Sequence, residues 1–191
     1  GGRIILWAGD SLVFDGSATA RGGMLAGDGG LIEVSGKESL VFDGFASTLA
    51  VRGQTGILLM DPTNFSINTG NGASTPNSIG ANRLTGVSFL GSNNVVIATG
   101  PGAGAGQISV NANVRWNNGN SLTLLAHGDI VVQADITNTS GGTINLVAGW
   151  NGITQAPANP GANAGAAFDF DALVASGAYG GTAYGGNILI G

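Results

Sequence analysis

Short apolar runs alternate with glycine-rich polar corners along the whole chain. Residues 4–8, 31–35, 57–60, 95–98, 108–114, 122–125, 130–134, 144–148 and 188–190 are β-branched or Leu-rich, and each closes on Gly, Asn, Asp or Pro. Those closing residues favour turns because they tolerate positive φ, pre-set φ, or hydrogen-bond their own backbone. No stretch sustains a 3.6-residue period; residues 166–175 come nearest, and only briefly. The pattern predicts an all-β chain.

The runs also repeat. Ser11-Leu12-Val13-Phe14-Asp15-Gly16 recurs letter for letter as Ser39-Leu40-Val41-Phe42-Asp43-Gly44, 28 positions on, and the same offset carries Gly1-Gly2 to Gly29-Gly30. Looser copies follow. Leu122-Thr123-Leu124-Leu125-Ala126 is echoed 22 positions later by Ile144-Asn145-Leu146-Val147-Ala148, and Gly-Gly returns at Gly141-Gly142 and Gly185-Gly186. A drifting period of this size marks stacked units with variable loops.

Aligning the four Gly-Gly units shows which side chains point inward. The second and fourth places after the glycines are aliphatic in all four, whereas the first and third accept Arg, Glu, Thr or Asn. Period-two alternation puts the aliphatic set inside, so Ile4, Ile32, Ile144 and Ile188 are expected in one stack. The same reasoning turns Leu12, Phe14, Leu40 and Phe42 inward. Asp15, Asp43, Ile5 and Trp7 face out, which predicts an apolar stripe, exposed or loop-covered, along that outer wall.

Near-identical repeats favour like strands lying over like strands, and the two-residue Asn-Gly or Asp-Gly turns that hairpins need are few. The expected architecture is a single parallel β-helix (β-solenoid) of about seven or eight rungs, one module over 1–191, with rungs about 4.8 Å apart. Loop excursions are expected at 17–28, 70–92, 99–106 and 156–186. The first expected strand starts at residue 3 and the last at 188, and neither end carries an expected cap over its strand edges.

Composition narrows the function. Charged residues are 9% of the chain, Gly supplies 36 of 191 positions and Asn 18, yet 43% is hydrophobic. There is enough apolar side chain to exclude charge-driven disorder. A net charge of −5, with one lysine and five arginines, argues against nucleic acid, whose phosphates demand a basic face. No apolar run reaches the roughly 20 residues of a membrane span, so membrane insertion is not expected. The absence of cysteine removes disulfides and thiolate chemistry. The opening Gly1-Gly2-Arg3-Ile4 is not a secretory signal.

Several of these motifs resemble one family. Gly2-Arg3-Ile4-Ile5-Leu6-Trp7 with Phe14-Asp15-Gly16 and Ala20-Arg21-Gly22-Gly23, then Glu33-Val34-Ser35-Gly36-Lys37, are similar to segments of filamentous-haemagglutinin-type adhesins. Leu58-Leu59-Met60-Asp61-Pro62-Thr63-Asn64-Phe65-Ser66-Ile67 resembles their LLxDPxNxxI segment, and residues 122–149 their LTLxAGGDI repeats. The resemblance implies a right-handed parallel β-helix, exported by the two-partner route to the surface of a Gram-negative cell. It implies no catalytic residues and no cofactor. The family's amino-terminal secretion domain has no counterpart here.

Candidate chemistry is sparse. His127 is the only histidine and is expected at a corner before Gly128-Asp129, with no second histidine or cysteine to complete a site. Asp15 and Asp43 on adjacent rungs are the nearest thing to a calcium or acid–base pair, but the tandem Gly-Gly-x-Gly-x-Asp of calcium solenoids is missing. Trp7, Trp116 and Trp150 could stack on sugars or be covered by loops. The expected function is a non-enzymatic adhesive or structural segment. Its partners would be a host or neighbouring cell surface, a glycan, or further copies of itself end to end. A self-stacking filament subunit is the alternative, and a polysaccharide lyase a distant third, since cations to stabilise a developing anion are scarce.

Overall fold

The computed structural model describes residues 1–71, 75–101, 104–150 and 185–191. It is a parallel β-solenoid. The first turn is β1 (Arg3–Ala8), β2 (Ser11–Phe14) and β3 (Ser17–Thr19). The second repeats it with β4 (Leu31–Gly36), β5 (Ser39–Phe42) and β6 (Phe45–Ser47). Later turns contribute β7 (Ile57–Met60), β8 (Phe65–Asn68), β9 (Ser78–Gly80), α1 (Ala81–Leu84), β10 (Asn94–Ala98), β11 (Ile108–Val110), β12 (Val114–Trp116), β13 (Leu122–Ala126), β14 (Ile130–Val132), β15 (Ile136–Asn138), β16 (Ile144–Ala148) and β17 (Ile188–Ile190).

One wall is the six-stranded parallel sheet β1-β4-β7-β10-β13-β16. Its register carries Ile4 onto Ile32, then Leu58, Val95, Leu122 and Ile144. The interior ends of these files are fully buried, whereas Ile4, Leu6, Leu12 and Phe14 at one end and Leu146 and Ala148 at the other are only partly covered. Every strand pair is parallel. Each rung therefore satisfies the backbone of the next, which is how a chain with so few charges holds together.

Phe14 lies over Phe42 in register. Their rings meet edge-on at 5.2 Å, and Phe42 continues the stack to Phe89 at 5.0 Å. The repeated hexad thus builds an aromatic file inside the coil. Glycine is obligatory where corners touch: a Cβ on Gly30 would run into the Gly2 carbonyl, and one on Gly29 into the Thr48 carbonyl.

Three expectations need correction. Six turns are seen among the described residues rather than seven or eight, because the steps are unequal. Leu58 to Val95 consumes 37 residues and Ile130 to Ile188 consumes 58, against 22 for Leu122 to Ile144. Second, 17–28 and 70–92 are not loops throughout, since they contain β3, β9 and α1. Strands of three residues are too short to show a period-two signal. Third, Ile188 does not join Ile4, Ile32 and Ile144. It stacks on Ile130 in the second wall, β17-β14-β11-β8-β9. Gly186 packs against Gly128, at the corner leading into that wall, whereas Gly30 packs against Gly2 and Gly142 against the Asn120 carbonyl, at the corner leading into the first. The same dipeptide serves two different corners. Of the expected excursions, residues 156–184 lie outside the described residues.

The third turn is irregular for a physical reason. β9 runs parallel to β8 and sits on the side of it where β5 would otherwise pair. Asn77 joins it to β5: its Oδ1 accepts from Leu40 N–H, its Nδ2 donates to the Glu38 carbonyl, and its own N–H donates to the Leu40 carbonyl. Its φ of 54° suits Asn better than a branched residue. Leu84, Phe89 and Leu90 then fill the core in place of a third-wall strand, and that wall is split into β3-β6 and β12-β15. Buried Asn93 ties this segment to the second turn. Its Oδ1 accepts from Thr48 N–H and Oγ1, while its Nδ2 donates to the carbonyls of Ala46, Ser88 and Phe89.

Candidate functional site

The outer face of the first wall is where side chains are free of the core. Alternation sends Ile5, Glu33, Leu59, Val96, Thr123 and Asn145 outward in one file. The expected apolar stripe is present: Leu59, Val96, Ala98, Leu125 and Trp150 form a buried cluster separate from the main core. Ile5 and Trp7, on the first strand, remain partly exposed. Trp150 donates from Nε1 to the Thr99 carbonyl. Trp116 instead lies inside the coil and donates to the Asn120 carbonyl.

Glu33, on this outer file, has a displaced pKa. It is raised above 4.5 chiefly by burial, opposed by the Ser35 hydroxyl, which donates to Oε1 at 3.0 Å, and by the Arg3 charge. Between Ile5 and Leu59 it resides on an apolar strip.

Asp15 and Asp43 lie on adjacent rungs, each just past the paired Phe14 and Phe42. Asp43 is engaged by Arg83 at 2.8 Å, and the Arg83 guanidinium also donates to the Gly44 carbonyl and lies 5.8 Å from the Phe89 ring centroid. Asp15 and Asp43 are both exposed. His127 sits half-buried just after β13, its Nδ1 3.1 Å from the Trp150 carbonyl oxygen. Its Cβ packs where Gly106, at φ 67°, leaves room for it. Among the described residues, no three His, Asp or Glu side chains group closely enough to hold a metal ion. The inward set Leu12, Phe14, Leu40, Phe42, Ile4 and Ile32 forms packed files, with Ile144 at the far end of the first and Ile188 in the second wall.

The concavity that stands out is a groove of about 440 Å³ across turns two to six on the outer first wall. Its sides are the corners 28–30 and 54–56, and its floor runs from Leu31, Ile57 and Val96 to Asn94, Ser121, Thr123, Thr143 and Asn145. A shallower hollow continues it around Gly119 and Asn120. Sequence reading missed this site, because its liners are ordinary turn residues that only the stacking aligns. The recurrent polar residue that opens or immediately precedes each later first-wall strand (Asn94, Ser121, Thr143) is the available signal.

Fold and site together define a parallel β-solenoid with a polar groove along one wall. No protein-family model matches the chain, and no curated protein or solved structure matches it.

Proposed function

We propose that this chain is a rigid, non-enzymatic segment of an exported, filamentous-haemagglutinin-type adhesin, acting as a spacer whose outer wall makes contacts. The observation that supports it best is the first wall: six strands in one parallel register, at about 4.8 Å per rung, with like side chains in files. Such a ladder extends indefinitely by adding turns, so it suits a stiff display element. The motifs quoted above for the adhesin resemblance fall on these strands and corners. Antibodies raised against the purified chain test the reading. They are expected to label intact, unpermeabilised cells of the source organism, and the chain is expected to compete with those cells for a surface. Labelling only after permeabilisation overturns it.

The alternative reading is end-to-end self-stacking, in which further copies extend the same parallel ladder. Sedimentation at increasing concentration distinguishes the two: a filament subunit forms long polymers, whereas a spacer segment stays a short rod.

A further inference from the structure

The groove on the first wall carries more polar valence than the coil uses. Asn94 spends its amide on neighbouring corners, donating to the Thr55 carbonyl and accepting from Ser121 N–H. Ser121 Oγ accepts from Thr143 N–H, and Asn145 Nδ2 donates to Thr123 Oγ1. Among the described residues, that leaves the Gln54 side-chain amide, the Thr55 and Thr143 hydroxyls and Asn145 Oδ1 with no partner. Gln54 and Thr55 lie on turn three and Thr143 and Asn145 on turn six, three rungs or about 14 Å apart along the coil axis.

Three features select the ligand. First, β4, β7, β10 and β13, which carry most of the floor, are each paired on both sides, so an extended peptide finds no main-chain edge along them to which it could add as a strand. Second, among the described residues Asp28 is the only charged liner, and its Oδ1 already accepts from Gln54 N–H. A sulfated or phosphorylated chain finds no cation there. Third, Leu31 and Ile57 give one end of the floor an apolar surface beside the amides and hydroxyls. Groups that both donate and accept, next to an apolar strip, match a molecule with hydroxyl edges and C–H faces.

We propose that this groove binds an uncharged, hydroxyl-rich oligosaccharide lying along the coil axis. Its hydroxyls exchange hydrogen bonds with Gln54, Thr55, Thr143 and Asn145, and a ring face rests on Leu31 and Ile57. The proposal deepens the contact-making half of the adhesin reading and rests on it for biological meaning.

The test titrates the full chain with cellohexaose, maltohexaose, laminarihexaose, chitohexaose and dextran sulfate by calorimetry and saturation-transfer NMR. At least one uncharged hexasaccharide is expected to bind with a Kd below about 1 mM, independent of salt. Gln54→Ala and Thr143→Val alter exposed side chains, so their urea midpoints are expected to match the parent. Each is expected to weaken binding about fivefold, as the loss of one hydrogen bond does. Binding of dextran sulfate alone, binding unchanged in both variants, or no binding by any hexasaccharide overturns the proposal. If saccharides fail while intact cells are still labelled, the groove assignment falls and the adhesin reading stands. If labelling fails too, both fall.

Discussion

Phe14 and Phe42 occupy the same place in two copies of an identical hexad, and replacing each with alanine separates sequence from position. Phe42 is 2% exposed and lies between two rings, Phe14 at 5.2 Å and Phe89 at 5.0 Å. Truncating it removes a fully buried aromatic and leaves an enclosed cavity, a change that costs about 3–5 kcal/mol. Phe14 is half-covered with one ring partner, and the space it vacates opens to solvent. Its loss forfeits part of the transfer free energy and one aromatic pair, about 2 kcal/mol in all. Urea unfolding of both single variants and the double variant measures the difference. The double-variant cycle is expected to return a Phe14–Phe42 coupling of about 0.5–1.5 kcal/mol. Because a solenoid loses end turns more readily than central ones, amide exchange should show the Phe14→Ala effect confined to β1–β3 and the Phe42→Ala effect spreading through β4–β8. Equal costs at the two positions, or no coupling, would refute the stacked arrangement.

Glu33 predicts a pH dependence of definite sign. Its folded pKa is raised above 4.5, so the native state holds its proton more tightly than the unfolded chain. Its contribution is fully present below 4.5 and is lost as pH rises through the folded value. Glu33→Gln is expected to raise the melting temperature at pH 7 and to flatten the fall in stability between acidic and neutral pH; a lower melting temperature at pH 7 contradicts it. Asn93→Ala leaves the Thr48 N–H and three carbonyls without their side-chain partner, and urea midpoints should report a loss of about 2–4 kcal/mol, against a near-neutral outcome if the amide were incidental. Gly30→Ala drives a Cβ into the backbone of the preceding turn, whereas Gly2 has open space around its Cα. Circular dichroism and exchange should show the first two turns disrupted by Gly30→Ala and untouched by Gly2→Ala.

Much of this architecture follows from residues read in order. Period-two alternation turns Ile4, Ile32 and Ile144 to one face and Ile5 to the other, and the hexad repeat sets Phe14 over Phe42. These are local rules: the sterics of neighbouring residues set which face a side chain takes, and an unbroken 28-residue spacing carries that face to the next rung. Tertiary structure decided whatever depends on cumulative register. Ile188 belongs with Ile130 because the Gly-Gly before it turns a different corner, and no local signal separates Gly185-Gly186 from Gly141-Gly142. β9 slots in beside β8 because Asn77 can bond to β5 with both its side chain and its backbone. The groove exists only because Gln54, Asn94, Ser121 and Thr143, scattered over the chain, reach one wall together. Contacts between residues tens of positions apart are fixed by the length of everything between them, and the alphabet of any one segment does not encode that length.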